Sequence, residues 1–287
     1  MTITYDPKHP KYLDEKDVRD ELTRVYDLCH GCRLCFKFCT SFPTLFDYVD
    51  RHDDQDAGRL TPAQQDQVVD ECFQCKLCYV NCPYIPGQSE WELDFPRLML
   101  RADAMRHTND QISLRDRLTT NVMGHTDLLG KVATSTYPVL NKMMGAKPGS
   151  VVRKLIEKTS GVSSERVLPP FAKQRFTTWF NRRPKLRIGK RQGRVALFPT
   201  CLVEYQAPDV GHDLVKVYER NGIECTLADT TQCCGAPFLH SGDIDSFTKI
   251  AEKNVKALAN TVRKGLDIVV PQPTCGYVLK KDYLDYV

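Results

Sequence analysis

Two runs of cysteine hold most of the reactive side chains of this sequence. The first is Cys29, Cys32, Cys35 and Cys39; the second is Cys72, Cys75, Cys78 and Cys82, followed by Pro83. Both read C-x2-C-x2-C-x3-C, and each cysteine of the second stands 43 residues after its counterpart (29 to 72, 39 to 82). Thiolates at i, i+3 and i+6 let one short loop wrap three corners of an Fe4S4 cube, and the fourth must come from elsewhere. In two-cluster ferredoxins the fourth cysteine of each run ligates the other cluster. On that pattern one cube takes Cys29, Cys32, Cys35 and Cys82, and the other takes Cys72, Cys75, Cys78 and Cys39. Zinc sites use separated pairs of ligands instead, so a fourfold run present twice fits zinc badly. Arg33, Lys37 and Lys76 lie between the cysteines, where they either offset the charge of a cluster or stand as exposed loop charges.

A second constellation follows residue 194. Cys201, the pair Cys233-Cys234 and Cys275 each come just after a short apolar stretch: Val195–Phe198, Ile223–Leu227 and Asp267–Val270. Helical patterns at about 209–221 and 246–264 separate these stretches, so strand and helix alternate, and a parallel α/β sheet is expected. Open α/β sheets place their sites beyond the carboxyl ends of the strands, so the four cysteines are expected to converge at one edge. Gly235 lets the backbone turn tightly after the adjacent pair. The group reads as a cluster or redox site, with a structural metal or unliganded thiols as the alternative. Cys225 falls inside a strand and reads as a core thiol. His240 is close enough in sequence to line the site.

The elements that must position the first eight cysteines look helical. Leu13, Val18, Leu22, Val25 and Leu28 recur at helical spacing before the first run. Thr61-Pro62-Ala63-Gln64 has the form of a capping box with proline at the first helical position, and the helix would lead into Cys72. Pro96 sits in the first turn of an amphipathic stretch, FPRLMLRADAM. The arrangement resembles the helical ferredoxin module of respiratory iron–sulfur proteins rather than the small β-rich ferredoxin.

Composition sets the frame. Thirteen cysteines in 287 residues occur with no apolar signal-peptide core and no membrane-length apolar run. Clustered thiols in a reducing compartment mean metal or redox chemistry more often than disulfides. Net charge is +4 but unevenly spread: −7 over residues 1–100, +14 over 101–194 and −3 over 195–287. The cysteine-free middle carries apolar residues such as Leu114, Leu118, Val122, Leu128, Leu129, Val132, Val139 and Met143, read as helix faces packed into a core. His107 and His125 read as surface or capping histidines. From Lys173 to Arg194 there are nine basic residues and no acid, interleaved with Phe176, Trp179 and Phe180. That run is either a solvated linker face or a docking surface for an acidic partner or anionic lipid; no nucleic-acid recognition motif accompanies it.

The spacing from Cys201 to Cys233-Cys234-Gly235, with a cysteine after the next strand, resembles the CCG domain of iron–sulfur oxidoreductases. With a dicluster ferredoxin in front, the order is similar to the iron–sulfur subunits of anaerobic glycerol-3-phosphate dehydrogenase and of heterodisulfide reductase. Phe95-Pro96-Arg97-Leu98, Asp127-Leu128-Leu129-Gly130-Lys131 and Leu168-Pro169-Pro170-Phe171 resemble segments of that group. The resemblance implies an α-helical dicluster ferredoxin domain over 1–106, a basic helical connector over 107–194 and an α/β CCG domain over 195–287. It further implies two [4Fe–4S] clusters and a further cluster or metal at Cys201, Cys233, Cys234 and Cys275. The implied role is electron transfer from a partner flavoprotein dehydrogenase, of glycerol-3-phosphate or 2-hydroxy-acid type, to quinone or another carrier. The implied place is the cytoplasm or the inner face of the cytoplasmic membrane. The alternative is a CCG site that itself reduces a disulfide. Val278 stands where the fullest CCG pattern has a fifth cysteine, and one CCG repeat is present where the group usually has two, so a truncated chain is expected.

Overall fold

The computed structural model describes residues 4–184, 191–229 and 233–287, and they form two compact units. The first unit takes residues 1–112 together with 239–244 and 286; the second takes 113–238, 245–285 and 287. Lys185, Arg187 and Lys190 of the basic run lie outside the described residues.

The first unit is helical. Helix α1 (Glu15–Cys32) starts at Asp14, whose carboxylate accepts from the Asp17 N–H, and stops where Arg33 turns into the left-handed region at φ 54°. It therefore runs through Cys29 and Cys32, further than the sequence pattern suggests. Helix α2 (Ser41–Val49) follows the first run, and α3 (Pro62–Asp70) starts with the expected capping box of Thr61 and Gln64. Helix α4 (Leu77–Asn81) carries Cys78, and α5 (Phe95–Thr108) is capped by Asp94. Val18, Leu22 and Val25 of α1 meet Phe42, Leu45 and Phe46 of α2 and Phe95, Leu98 and Met99 of α5 in one core. The rings of Phe42 and Phe95 lie 4.7 Å apart. Arg101, fully buried, ties α5 back to the start of the unit. Its guanidinium donates to the carbonyls of Tyr12 at 2.8 Å and Lys11 at 2.6 Å and pairs with Asp17 at 2.8 Å.

The second unit opens with α6 (Leu114–Gly124), α7 (Thr126–Ser135), α8 (Tyr137–Met144), α9 (Val151–Ser160) and α10 (Phe176–Arg182). The apolar faces of α6, α7 and α8 do not point into a core, contrary to the expectation from sequence. Leu114, Leu118, Val122, Leu128, Leu129, Val132, Val139 and Met143 are all exposed, Leu114 to 86%. The buried positions of α6 and α7 are small ones, Gly124, Gly130 and Ala133. A Cβ on Gly124 would lie 2.2 Å from the Phe238 ring, and one on Gly130 would lie 2.4 Å from the Tyr205 ring. The helices dock by backbone approach, so their bulky side chains are turned outward.

The α/β part follows: β1 (Gly193–Leu197), α11 (Cys201–Tyr205), α12 (Pro208–Arg220), β2 (Ile223–Leu227), α13 (Ala236–Leu239), α14 (Ile244–Arg263), β3 (Asp267–Val269) and α15 (Pro273–Tyr277). A π-helical stretch (Val278–Asp282) and α16 (Tyr283–Tyr286) come last. The sheet is parallel with order β2-β1-β3, and β1 pairs Gly193 to Ile223 through Leu197 to Leu227 on one side and Val195 to Asp267 on the other. Phe176 and Phe180 of α10 pack with Val195, Leu197, Val215 and Cys225. The aromatics of the basic run are thus core residues, and Cys225 is a core thiol.

Much of that run is also neutralised. The Arg183 side chain is 6% exposed, pairing with Glu219 at 2.6 Å and stacking 3.6 Å from the Phe180 ring centre. Arg191 pairs with Glu224, and Arg194 reaches the same carboxylate at 3.4 Å. A continuous docking face across the whole segment is not what the described residues form.

Glycine torsions in the two units set a contrast in stability. Gly242 has φ +81°, and a Cβ there would lie 2.2 Å from the Asp103 carbonyl oxygen. Gly265 has φ +71° with open space around it. Gly242→Ala should cost about 3 kcal/mol or more, from strain plus clash, against about 1 kcal/mol for Gly265→Ala; thermal unfolding of the two variants measures the difference. Asp103 is also one of three acids around Arg106, which sits at 2.7 Å from Asp70 and 3.6 Å from Asp103. Burial, with Asp70 and Asp66 adding to it, pushes the Asp103 carboxyl up to about 8. The unfolded chain loses that proton near pH ~4, so the folded state binds it more tightly. Stability of the first unit should therefore fall as pH rises from about 4 to about 8, and Asp103→Asn should flatten that decline in denaturant titrations.

Candidate functional site

The eight cysteines of the paired runs gather within the first unit in two groups. A cavity is lined by Cys29, Cys32 and Cys35 of the first run and by Cys82 of the second, against the apolar walls of Leu28, Phe42 and Leu93. Cys29 and Cys32 come from the last turns of α1, Cys35 from the turn after it and Cys82 from the end of α4. Cys78 feels the thiols of Cys72, Cys35, Cys75 and Cys39, and Cys72 feels Cys39, so sulfurs of both runs lie close to Cys78. Among the described residues no three His, Cys, Asp or Glu side chains crowd closely enough to hold a single metal ion. The four sulfurs of the cavity stand around a shared space instead, which suits a polynuclear cluster. The first set of thiols thus fits a cube in its number and its donor chemistry, around a partly open pocket that leaves Cys32 exposed.

Burial dominates the electrostatics. It pushes the thiols of Cys29, Cys78 and Cys82 up, Cys35 up to about 11 and Cys72 up to about 12, with neighbouring sulfurs adding to the rise for Cys29, Cys35 and Cys78. Two donors already face sulfur: the Tyr84 N–H lies 3.4 Å from Cys82 Sγ, and the Gln74 amide lies 3.6 Å from Cys72 Sγ. Of the charges between the cysteines, Arg33 turns to an acid, while Lys76 acts on Cys72, directly and through Gln74. Arg33 and His30 hold Asp50, whose carboxyl drops to about 2, and Lys76 donates to Gln74 at 2.8 Å. Arg33 and Lys76, 43 residues apart, are both left-handed, at φ 54° and 64°.

In the second unit the sheet brings Cys201, Cys233, Cys234 and Cys275 beyond the carboxyl ends of β1, β2 and β3. Cys233, Cys234 and Cys275 are buried and Cys201 is half-buried. Cys234 Sγ lies 3.3 Å from Cys275 Sγ. Hydrogen bonds from Cys201 first and then Cys234 lower the Cys233 thiol, while Cys201 and Cys234 are raised as its partners. Gly235 makes the turn at φ +87°, where a Cβ would meet Phe247 at 2.9 Å. Val278 is fully buried.

Four residues that pin the pair escaped the sequence reading. Asp127 accepts from the Cys233 N–H at 2.9 Å, and the Tyr205 hydroxyl donates to the Asp127 carbonyl at 3.2 Å. Asn254, buried, donates to the Cys233 carbonyl at 2.9 Å and to the Tyr283 hydroxyl at 3.0 Å, and Tyr283 donates to the Cys234 carbonyl at 2.9 Å. The position of Asp127 in the Asp127–Lys131 segment was the one available signal. His240 groups with the first unit, where burial and then Lys76 lower its imidazole to about 4; the sequence had offered it to the CCG cysteines.

Two protein families match the two cysteine-bearing regions. A family described as a 4Fe-4S dicluster domain matches residues 21–83, and a family described as a CCG cysteine-rich domain matches residues 195–280. The chain thus carries a region similar to a 4Fe-4S dicluster domain ahead of a region similar to a CCG cysteine-rich domain. Among similar proteins, an anaerobic glycerol-3-phosphate dehydrogenase subunit of Escherichia coli strain K12 is 32% identical over 170 residues, covering 59% of this chain and 42% of the relative. A fumarate reductase (CoM/CoB) subunit of Methanothermobacter marburgensis is 37% identical over 101 residues, 34% of this chain and 20% of its own length. Lactate utilization protein A of Bacillus pumilus is 33% identical over 93 residues, 32% of this chain and 36% of its own. The chain thus spans less than half the length of these relatives. No solved structure matches it. No helix among the described residues is long and apolar enough to cross a membrane.

The polar clamp on the cysteine pair gives a paired expectation. Tyr283→Phe strands the Cys234 carbonyl and Asn254→Leu strands the Cys233 carbonyl, and each should cost about 1–3 kcal/mol. Denaturant unfolding of both variants, followed by a signal from the second unit, checks the size of each loss.

Proposed function

We propose that this chain is an iron–sulfur electron-transfer subunit of an oxidoreductase complex. The observation that carries the reading is the cavity shared by Cys29, Cys32, Cys35 and Cys82. Three thiols from one run and one from the other is the exchange that two-cluster ferredoxins use. The second group would be Cys72, Cys75, Cys78 and Cys39, and the CCG group would be Cys201, Cys233, Cys234 and Cys275. Bound clusters supply one-electron transfer at potentials set by ligation, hydrogen bonding to sulfur and burial. The residues of this chain hold the thiols in place, shield them with Leu28, Phe42 and Leu93, and donate to sulfur from Tyr84 and Gln74. No G-x-G-x-x-G signature of a dinucleotide site occurs in the sequence. Substrate oxidation is therefore assigned to a partner flavoprotein, with quinone or another carrier as the acceptor; the name of the Escherichia coli relative supports a dehydrogenase complex.

The pairing of ligands is testable by iron counting. Anaerobically purified protein should hold about eight irons in its paired runs, with matching sulfide, and more if the CCG group is loaded. Cys35→Ala and Cys82→Ala should each lose about four irons, and the double variant should lose no more than either single one. Cys35→Ala combined with Cys39→Ala should lose about eight. If the Cys35/Cys82 pair loses eight instead, the exchanged arrangement is wrong; zinc without sulfide would remove the cluster reading altogether.

A further inference from the structure

The second unit carries a basic cleft, distinct from the cysteine groups. About 700 Å³ in volume, it is lined by Lys131, Thr134 and Ser135 of α7, Tyr137 at the start of α8, and Lys173, Gln174, Arg175, Thr178 and Arg182 on and before α10. Four cationic and four hydroxyl-bearing residues line this space, with the Ser135 hydroxyl donating to the Lys131 carbonyl at 2.9 Å, and no carboxylate lines it. Arg175 has a partial partner in Glu204 at 3.8 Å. Among the described residues no carboxylate lies within ion-pair distance of Lys131, Lys173 or Arg182. The Thr134 hydroxyl oxygen is buried without a hydrogen-bond partner.

The walls are fixed in place by the fold. Gly130 seats α7 against the Tyr205 ring of α11. The opposite wall hangs on the same helix: the Ala172 N–H donates to the Tyr205 carbonyl at 2.7 Å, and Thr177 donates to Glu204 through its N–H at 2.9 Å and its hydroxyl at 2.6 Å. Asn141 of α8 bonds both backbone groups of Phe171 at 2.8 Å. Four like charges thus line one cleft, with Glu204 near Arg175 and Asp127 one turn before Lys131 as the nearby acids, and an anion between them would gain from all four. Arginine forks and lysine point charges with hydroxyl donors are the equipment of a phosphate site. The volume falls in the range of small-ligand pockets of roughly 300–1,000 Å³, more than a bare phosphate needs. Tyr137 is the one aromatic lining residue, so a stacking platform for bases is lacking.

The geometry points to a binding site for a phosphate-bearing anion in this cleft, held by Lys131, Lys173, Arg175 and Arg182. The phosphate can be that of a soluble molecule or of a phospholipid headgroup, and the test separates the two. Binding of pyrophosphate to the full chain is measured by calorimetry in chloride buffer. Binding to vesicles is measured with phosphatidylglycerol in phosphatidylcholine and with phosphatidylcholine alone. Lys173→Ser with Arg182→Ser should weaken binding at least about tenfold, while Lys173→Arg should retain it. Arg191→Ser with Arg194→Ser, an equal loss of charge elsewhere in the unit, should leave binding unchanged. Affinity for pyrophosphate with that pattern assigns a soluble ligand; affinity for the anionic vesicles alone, with the same pattern, assigns a headgroup. The proposal is overturned if neither probe binds, if the cleft variant binds like the parent, or if the Arg191/Arg194 variant loses as much. All four side chains altered are exposed or half-exposed, and a thermal melt of each variant confirms that the fold is kept.

Discussion

Thiols brought together in a protein interior resist ionising, and that resistance shapes everything around the paired runs. Burial raises Cys29, Cys35, Cys72, Cys78 and Cys82, and neighbouring sulfurs add to it at most of them. A cage of this kind cannot hold itself together by its own charges. A metal cluster replaces the protons and brings the compensating positive charge. The scaffold therefore leans on other contacts: the aliphatic and aromatic core of α1, α2 and α5, against which the cysteines pack, the Phe42–Phe95 contact and the buried Arg101–Asp17 pair. Position comes from apolar packing, and charge balance is left to the cofactor.

The CCG cysteines are organised differently. Their places are set by strand ends of one parallel sheet, and the backbone of the adjacent pair is held by three polar side chains from distant parts of the chain: Asp127, Asn254 and Tyr283. Within this group the charge is polarised rather than uniformly suppressed, with Cys233 favoured as thiolate and its neighbours as donors. Loops suffice where spacing in sequence already matches a cube. Four thiols spread over 75 positions, from 201 to 275, need a sheet and a clamp.

The parts legible in the sequence were those with local causes. The capping box at Thr61 and Gln64, the alternation of strand and helix after Arg194, the core role of Cys225 and the C-x2-C-x2-C-x3-C spacing within each run all rest on neighbours a few residues apart. The rest depended on distant partners. Gly124 and Gly130 draw the connecting helices against Phe238 and Tyr205, which inverts the usual meaning of their Leu and Val positions. Arg183 reads as one more cation of a basic run until Glu219 and Phe180 close over it. Asp127 meets Cys233 across 106 residues. No spacing rule reports such pairs.

The two left-handed residues Arg33 and Lys76 have a consequence of their own. A side chain at positive φ costs roughly 1–2 kcal/mol, and neither position has glycine. Around them the two runs differ: Cys29 and Cys32 lie in helix α1, while Cys72 and Cys75 lie outside any helix. Yet the same torsion recurs after the second cysteine of each. The repeat of 43 residues thus extends to one main-chain torsion as well as a pattern of letters, and both copies keep it at an energetic disadvantage. The likeness stops there: Gln74 is also left-handed, at φ 53°, while its counterpart Gly31 lies inside helix α1.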